Sequence, residues 1–169
     1  MLGEYKQQQQ RERKTFLNVK AGAIVKRTPD GEERYSYVEG AVENIYKQNR
    51  TFRNEEVVYW YIDLRDETGE LYSLGFSFRS NVFKSVIMCL ATAPKLDKVR
   101  IEPYTKNGYD KVVVYADGKK LDWIDAPLPA IETLNAGGRI IKDDTKRMAF
   151  IVALVRDIVN RLKNVNEFS

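Results

Sequence analysis

The chain has 169 residues, with 28 lysines or arginines, 24 acidic residues and a formal net charge of +4. It contains no histidine and a single cysteine, which excludes an intrachain disulfide, His- or Cys-rich zinc sites and any mechanism that uses a histidine base. No apolar run approaches the roughly 20 residues that cross a membrane, and the polar N-terminus lacks the apolar segment of a signal peptide, so we expect a cytoplasmic protein without membrane contact.

The charge is unevenly distributed along the chain. Residues 1–28 carry a net charge of +5, residues 29–138 a net charge of −4 and residues 139–169 a net charge of +3. The long central segment is therefore acidic. It can bind a polyanion only if its basic residues are clustered.

The N-terminal half begins with residues 1–15, which are predicted to form a disordered basic arm. Residues 16–27 follow as a short β-hairpin or a bent strand around Gly22. Strands one to three are predicted at about Tyr37–Lys47, Glu55–Arg65 and Glu70–Phe78. Strand two alternates most clearly: Val58, Trp60, Ile62 and Leu64 should face the core, and Val57, Tyr59, Tyr61 and Asp63 should face outward.

A helix over residues 80–91 is predicted next, with Ser80 as its N-cap. Its apolar residues recur at helical spacing and include Cys89, so we expect a buried, unreactive thiol. Strands four and five, Val99–Lys106 and Tyr109–Ala116, follow it and are joined by a tight turn at Asn107-Gly108.

The C-terminal part is predicted to comprise a linker over residues 125–142, an amphipathic helix over residues 143–163 and a tail over residues 164–169. The apolar stripe of the helix must be covered, because leaving it in water is costly. We favour the flank of the β domain, since docking within one chain avoids the entropy of association. The alternative is a homo-oligomer formed through this helix.

Five strands with a helix between the third and fourth follow the element order of the OB-fold. We therefore predict a mainly β protein, with a five-stranded OB-fold barrel and an N-terminal β-hairpin extension within residues 16–124, and a C-terminal amphipathic helix. OB-folds bind oligonucleotides or oligosaccharides on the face of strands two and three, between two flanking loops.

Both flanking loops combine cations, which contact phosphates, with rings, which stack on unpaired bases. The candidate nucleic-acid-binding residues are Lys47, Arg50, Phe52 and Arg53 in the first loop, Tyr104, Lys106, Tyr109 and Lys111 around the second, and Tyr59 and Tyr61 between them. The last two would stand beside small residues, Ser73, Gly75 and Ser77, which leave room for a base. Each group also has an ordinary interpretation. The first loop could be a solvated hairpin loop, and the tyrosines of the second could simply pair across two strands. The face of Tyr59 and Tyr61 could be covered by the N-terminal hairpin or by a second subunit.

Catalysis is not expected. Asp63, Asp66, Glu67 and Glu70 could form the divalent-metal site of a nuclease. Asp66, Glu67 and Glu70, however, lie in or beside a turn, where Asp and Gly are common because they suit the backbone geometry of turns. A carboxylate–lysine pair at residues 117–119 is also part of a turn, and phosphate-cradling motifs are absent. We predict no enzyme, no metal and no cofactor.

Residues 16–27, leading into Tyr37-Val-Glu-Gly-Ala-Val42, and the later Asp117-Gly-Lys-Lys-Leu-Asp-Trp123 resemble the OB-fold single-stranded DNA-binding proteins of Bacteroidetes phages, the crAss-like group included. This resemblance covers residues 16–124 and implies coating of single-stranded DNA, with RNA as an alternative ligand, during replication or recombination. Replication proteins would then be partners, in the cytoplasm of a bacterial host. Residues 164–169 lack the acidic tail usual in bacterial single-strand binders, so the resemblance does not support recruitment through the tail.

The leading hypothesis is therefore a non-enzymatic single-stranded DNA-binding protein of low sequence specificity. The alternative is an OB-fold module for protein interaction or structure in a phage or replisome assembly.

Overall fold

The computed structural model describes the backbone of residues 13–167 and the side chains of residues 13–164. Residues 1–12 of the predicted basic arm lie outside these residues, whereas residues 14 and 15 belong to the first strand. Residues 164–167 of the predicted tail continue the last helix. The described part is mainly β, with two helices. Its elements are β1 Lys14–Lys20, β2 Ala23–Thr28, β3 Gly31–Tyr35, β4 Val38–Phe52, β5 Glu55–Arg65, β6 Leu71–Ser77, α1 Asn81–Leu90, β7 Val99–Lys106, β8 Tyr109–Ala116, β9 Lys119–Lys120, β10 Glu132–Ala136, β11 Arg139–Asp143 and α2 Thr145–Glu167.

Nine strands form one sheet, in the order β3-β2-β1-β6-β5-β4-β7-β8-β9. The long strand β4 pairs first with β7, over Val38–Gly40, and then with β5, over Ala41–Phe52. At the crossover, a Cβ on Gly40 would lie 2.5 Å from the carbonyl oxygen of Arg65, so only glycine permits this approach. A register shift between Val42 and Asn44 marks a bulge just beyond it. Together they bend β4 between two partners.

The sheet does not close on itself, so the predicted five-stranded barrel is not confirmed, although the mainly β class is. In the described part of the chain, β6 has no pairing with β8. Instead β1 runs parallel to β6, with Lys14–Asn18 against Leu71–Gly75. The N-terminal hairpin thereby occupies the edge of β6 that a closing strand would need.

The core lies between the inner face of the sheet and the two helices. Trp60, Ile62 and Leu64 are buried there, as the alternation of β5 predicts. Ser80 caps α1 through its Oγ, which accepts a hydrogen bond from the backbone N–H of Phe83 at 3.1 Å. The ring of Phe83 then stacks on Trp60, with centroids 4.9 Å apart. The start of α1 that Ser80 predicts is therefore also the start that places Phe83 against Trp60.

Helix α2 covers its own apolar stripe within the chain. It packs against α1 and β4, and five residues of its stripe are buried: Met148, Ile151, Leu154, Val155 and Ile158. A second subunit is therefore not needed to shield this stripe. No helix in the described part of the chain is long and apolar enough to span a membrane.

Part of the predicted linker is regular structure. Residues 125–142 contain β10 and most of β11, which pair as a separate antiparallel hairpin. Its turn is Gly137-Gly138, with φ values of 59° and 79°. Gly-Gly is a hairpin signal as well as a loop signal, and the branched residues after it continue as a strand.

Candidate nucleic-acid interface

Strand register determines which side chains share the outer face of the sheet, opposite the core. Tyr46 of β4 lies opposite Tyr61 of β5, which lies opposite Gly75 of β6, which in turn lies opposite Asn18 of β1. Tyr59 shares the face of Tyr61, because the two are separated by one residue of the same strand. Both predicted tyrosines therefore point away from the core, as their alternation indicates.

Tyr61 is nonetheless not an open surface for a base, because only 7% of it is exposed. Its ring stacks on Tyr46 with centroids 5.5 Å apart and meets the edge of Phe16 at 6.0 Å. A Cβ on Gly75 would lie 3.0 Å from Tyr61 Cε1, so the glycine makes room for this ring. The expectation that Gly75 leaves space for a base is corrected accordingly, because β1 brings Phe16 over the face.

Phe16 and Tyr46 are residues that the sequence reasoning missed. Phe16 is 49% exposed, and the Arg50 guanidinium carbon lies 5.3 Å from its ring centroid. Arg50 Nε also donates a hydrogen bond of 2.8 Å to the Tyr61 hydroxyl. A basic–aromatic pair, Lys14 and Phe16, was visible in the sequence, but only the parallel pairing of β1 with β6 brings it to this face. We call Phe16, Tyr46, Arg50, Tyr59 and Tyr61 the Tyr61 cluster.

Asp63, the acidic residue beneath this cluster, forms an ion pair with Lys14. Lys14 Nζ lies 2.8 Å from the buried Asp63 carboxylate and 3.2 Å from the Tyr46 hydroxyl. Burial alone would lower the pKa of Lys14, but the hydrogen bonds to Asp63 and Tyr46 raise it above its usual value. Lys14 therefore stays charged and compensates the charge of Asp63.

Two of the acidic residues considered for a metal site, Asp63 and Asp66, are held by other contacts. Asp66 Oδ1 accepts hydrogen bonds from the Thr68 backbone N–H, the Thr68 hydroxyl and the Glu70 backbone N–H, which closes the turn before β6. The Thr68 hydroxyl is the main cause of a lowered Asp66 pKa. In the described residues, no group of three or more Cys, Asp or Glu side chains could hold a metal ion.

The first loop divides its cations between two faces of the sheet. Lys47 lies opposite Trp60 in the register, and its Nζ sits 5.5 Å from that ring on the core side. Arg50 is on the outer side. At the tip, Arg53 and Asn54 have φ values of 50° and 65°, as a two-residue hairpin turn requires. Lys47 is thus separated from the outer face where its predicted partners lie.

The tip of this loop carries an exposed aromatic residue. Phe52 is 61% exposed, and the Arg53 guanidinium carbon lies 5.7 Å from its ring. Both side chains are exposed and are therefore accessible to a ligand.

The second loop brings all of its predicted residues together. Tyr104 lies opposite Lys111, and Lys106 lies opposite Tyr109, so the four side chains share one face of the β7–β8 hairpin. All four are exposed, Tyr109 by 70%. Each tyrosine lies opposite a lysine, so the alternative of two tyrosines paired across the strands does not apply. We call these residues the β7–β8 face.

Strand β1 links the two regions. Its turn to β2 packs on β7, where a Cβ on Gly22 would lie 2.9 Å from Thr105 Cγ2 and 3.0 Å from the carbonyl carbon of Tyr104. The same strand carries Phe16 into the Tyr61 cluster. Strand β1 therefore contacts the Tyr61 cluster, and the turn that follows it contacts the backbone of β7 beside Tyr104.

Comparison of the chain with protein-family models, curated proteins and solved structures finds no match. The resemblance to phage single-strand binders consequently rests on the residues quoted above.

Proposed function

We propose that the protein binds single-stranded DNA with little sequence preference and without catalysis. The β7–β8 face carries this proposal, because it presents two exposed tyrosines and two lysines on one side of a hairpin. Stacking of a base on an aromatic ring contributes roughly 1–3 kcal/mol and does not depend on base identity. Lys106 and Lys111, on the same face as the two tyrosines, would contact the phosphates between the stacked bases.

The Tyr61 cluster would supply a second contact, in a form different from the sequence expectation. Phe16 offers the open ring, and Arg50 is held beside it by the Tyr61 hydroxyl. An arginine fixed in this way can contact a phosphate or lie flat on a base. Tyr61 would then organise the site rather than stack on DNA.

The strand connectivity is consistent with an OB-type core. Strand β4 pairs with β5 and β7, β5 pairs with β6, β7 pairs with β8, and α1 lies between β6 and β7. In this proposal the outer face of β5 and β6 and the two loop regions correspond to the ligand-binding surface of OB-folds. Strand β1 is an addition that widens that surface.

We further propose that the protein coats transient single strands during replication or recombination, as its resemblance to phage single-strand binders implies. RNA is an alternative ligand, because base stacking and phosphate contacts do not depend on the sugar. An OB-fold module that binds a protein is the competing function.

The test is a fluorescence anisotropy titration with labelled oligo(dT), repeated over a series of salt concentrations. We expect binding at low salt that weakens by about 0.7 log units per log unit of salt for each phosphate contacted. A duplex of equal length and an oligo(U) strand are the controls for strandedness and for the sugar. Absence of binding at low salt would overturn the proposal and favour the protein-interaction module.

A further inference from the structure

The β10–β11 hairpin exposes apolar side chains on both of its faces. Leu134 and Ile141 are register partners and share one face. Ile140 projects from the other face and is 74% exposed. An isolated two-stranded hairpin is marginally stable in water, and exposed branched residues on a strand with an open edge mark a contact surface.

The turn determines which backbone groups of β11 point outward. Gly137 and Gly138 form a two-residue turn, so the closing pair, Ala136 and Arg139, is hydrogen-bonded across the hairpin. Hydrogen-bonded and non-hydrogen-bonded pairs alternate along an antiparallel ladder. Ile140 and Lys142 therefore direct their N–H and C=O groups away from β10. Within the described residues no other strand pairs with this edge.

We propose that β11 pairs with β11 of a second copy of the chain, antiparallel about a twofold axis at Ile141. The two hairpins would then form a four-stranded sheet. Backbone hydrogen bonds would link Ile140 of each copy to Lys142 of the partner subunit. Ile141 would lie directly against the partner's Ile141.

The charges of β11 are complementary in this register. Arg139 would lie opposite the partner subunit's Asp143, and twofold symmetry would repeat the pair. Asp143 Oδ1 accepts a hydrogen bond from the Thr145 backbone N–H at 3.0 Å, and bonds to Thr145 lower the Asp143 pKa, which keeps the carboxylate charged. The edge of β10 lacks such a pattern, since centring it on Leu134 would place Glu132 opposite Ala136.

The expected dimer is weak and depends on concentration. Two five-residue strands bury less than the roughly 1,200 Å² of a stable interface. Monomer and dimer should therefore exchange within an accessible concentration range. Because the test needs no nucleic acid, its failure is distinguishable from failure of the proposed DNA binding.

Sedimentation velocity over a concentration series is the experiment. We expect the mass to rise from 19.6 kDa toward twice that value. Ile140→Pro removes an outward N–H without removing a bond of the hairpin, and it should remain monomeric throughout. Asn135→Pro makes the same change at the facing position, on the edge of β10, and should dimerise like the wild type. Thermal unfolding checks that both variants are folded.

A second pair of variants tests the charges independently of proline. Arg139→Asp places like charges across the interface twice and should weaken the dimer by roughly tenfold. Lys142→Asp changes the net charge equally, but it faces the partner's Ile140, so its dimer should be nearly as strong as that of the wild type. A wild-type monomer at every concentration, a dimeric Ile140→Pro variant or a monomeric Asn135→Pro variant would each overturn the proposal.

Discussion

Two tyrosines that sequence reasoning assigned to the same role should behave in opposite ways when replaced by alanine. Tyr61 is almost fully buried, whereas Tyr109 stands in solvent. Removing a buried aromatic ring loses roughly 150 Å² of burial, or about 4 kcal/mol at 25 cal/mol per Å². Tyr61→Ala should therefore lower the free energy of unfolding by about that amount. It also leaves Arg50 without its acceptor.

Tyr109→Ala should leave the free energy of unfolding within about 0.5 kcal/mol of the wild-type value, as is usual for surface substitutions. If a base stacks on this ring, the variant should bind oligo(dT) more weakly by roughly 1–3 kcal/mol. The matched pair separates a residue that organises the surface from one that contacts the ligand.

Urea unfolding and oligo(dT) anisotropy on the same preparations measure both effects. A loss of about 4 kcal/mol is a large part of a typical domain's stability and could leave Tyr61→Ala partly unfolded. Tyr61→Phe is therefore included as a milder variant that should remain folded. It removes only the hydroxyl and should cost about 1 kcal/mol. Full stability of Tyr61→Ala, or strong destabilisation by Tyr109→Ala, would refute the assignment of the two rings.

Three further predictions concern the outer face and the core. Gly75→Ala should destabilise the protein by roughly 1–3 kcal/mol in urea unfolding, because the added methyl group meets the Tyr61 ring at 3.0 Å; an unchanged midpoint would contradict the seating of that ring. The raised Lys14 pKa means that its bond to Asp63 contributes fully below the unfolded pKa of about 10.5 and is lost as the pH rises through the folded pKa. The melting temperatures of wild type and Lys14→Met should therefore converge above that pH, and a constant difference would argue against the ion pair. Burial raises the Cys89 pKa to about 11, so iodoacetamide at pH 8 should label it only after unfolding, as mass spectrometry would record; rapid labelling of the folded protein would place the thiol at the surface.

Local signals in the sequence were sufficient for much of the fold. The alternation around Trp60 identified the buried side of β5, and Ser80 identified the start of α1, because both depend on residues within a few positions of each other. The tight turn at Asn107-Gly108 was predictable for the same reason, with φ values of 52° and 79°. Since that turn sets the register of β7 and β8, the four residues of the β7–β8 face could be found from the sequence.

The remaining features depend on contacts between distant segments. The parallel pairing of β1 with β6 joins Lys14 to Leu71, and no local pattern specifies such a partner. Burial of Tyr61 follows from this pairing, so its exposure could not be predicted from the alternation of β5. Lys47 and Arg50 were grouped by their proximity in sequence, although three positions along a strand place side chains on opposite faces.

The parallel pairing of β1 also constrains the order in which the fold can be completed during synthesis. Strands β1 to β3 are adjacent in sequence, and β2 pairs with both β1 and β3, so this unit can form without the rest of the chain. The other edge of β1 has no partner until β6, which ends at Ser77, has left the ribosome. During that interval the nascent chain carries an unpaired strand edge, which is a template for pairing with other chains. Delayed pairing of β1 with β6 is therefore a stage of biosynthesis at which misassembly with other chains is possible.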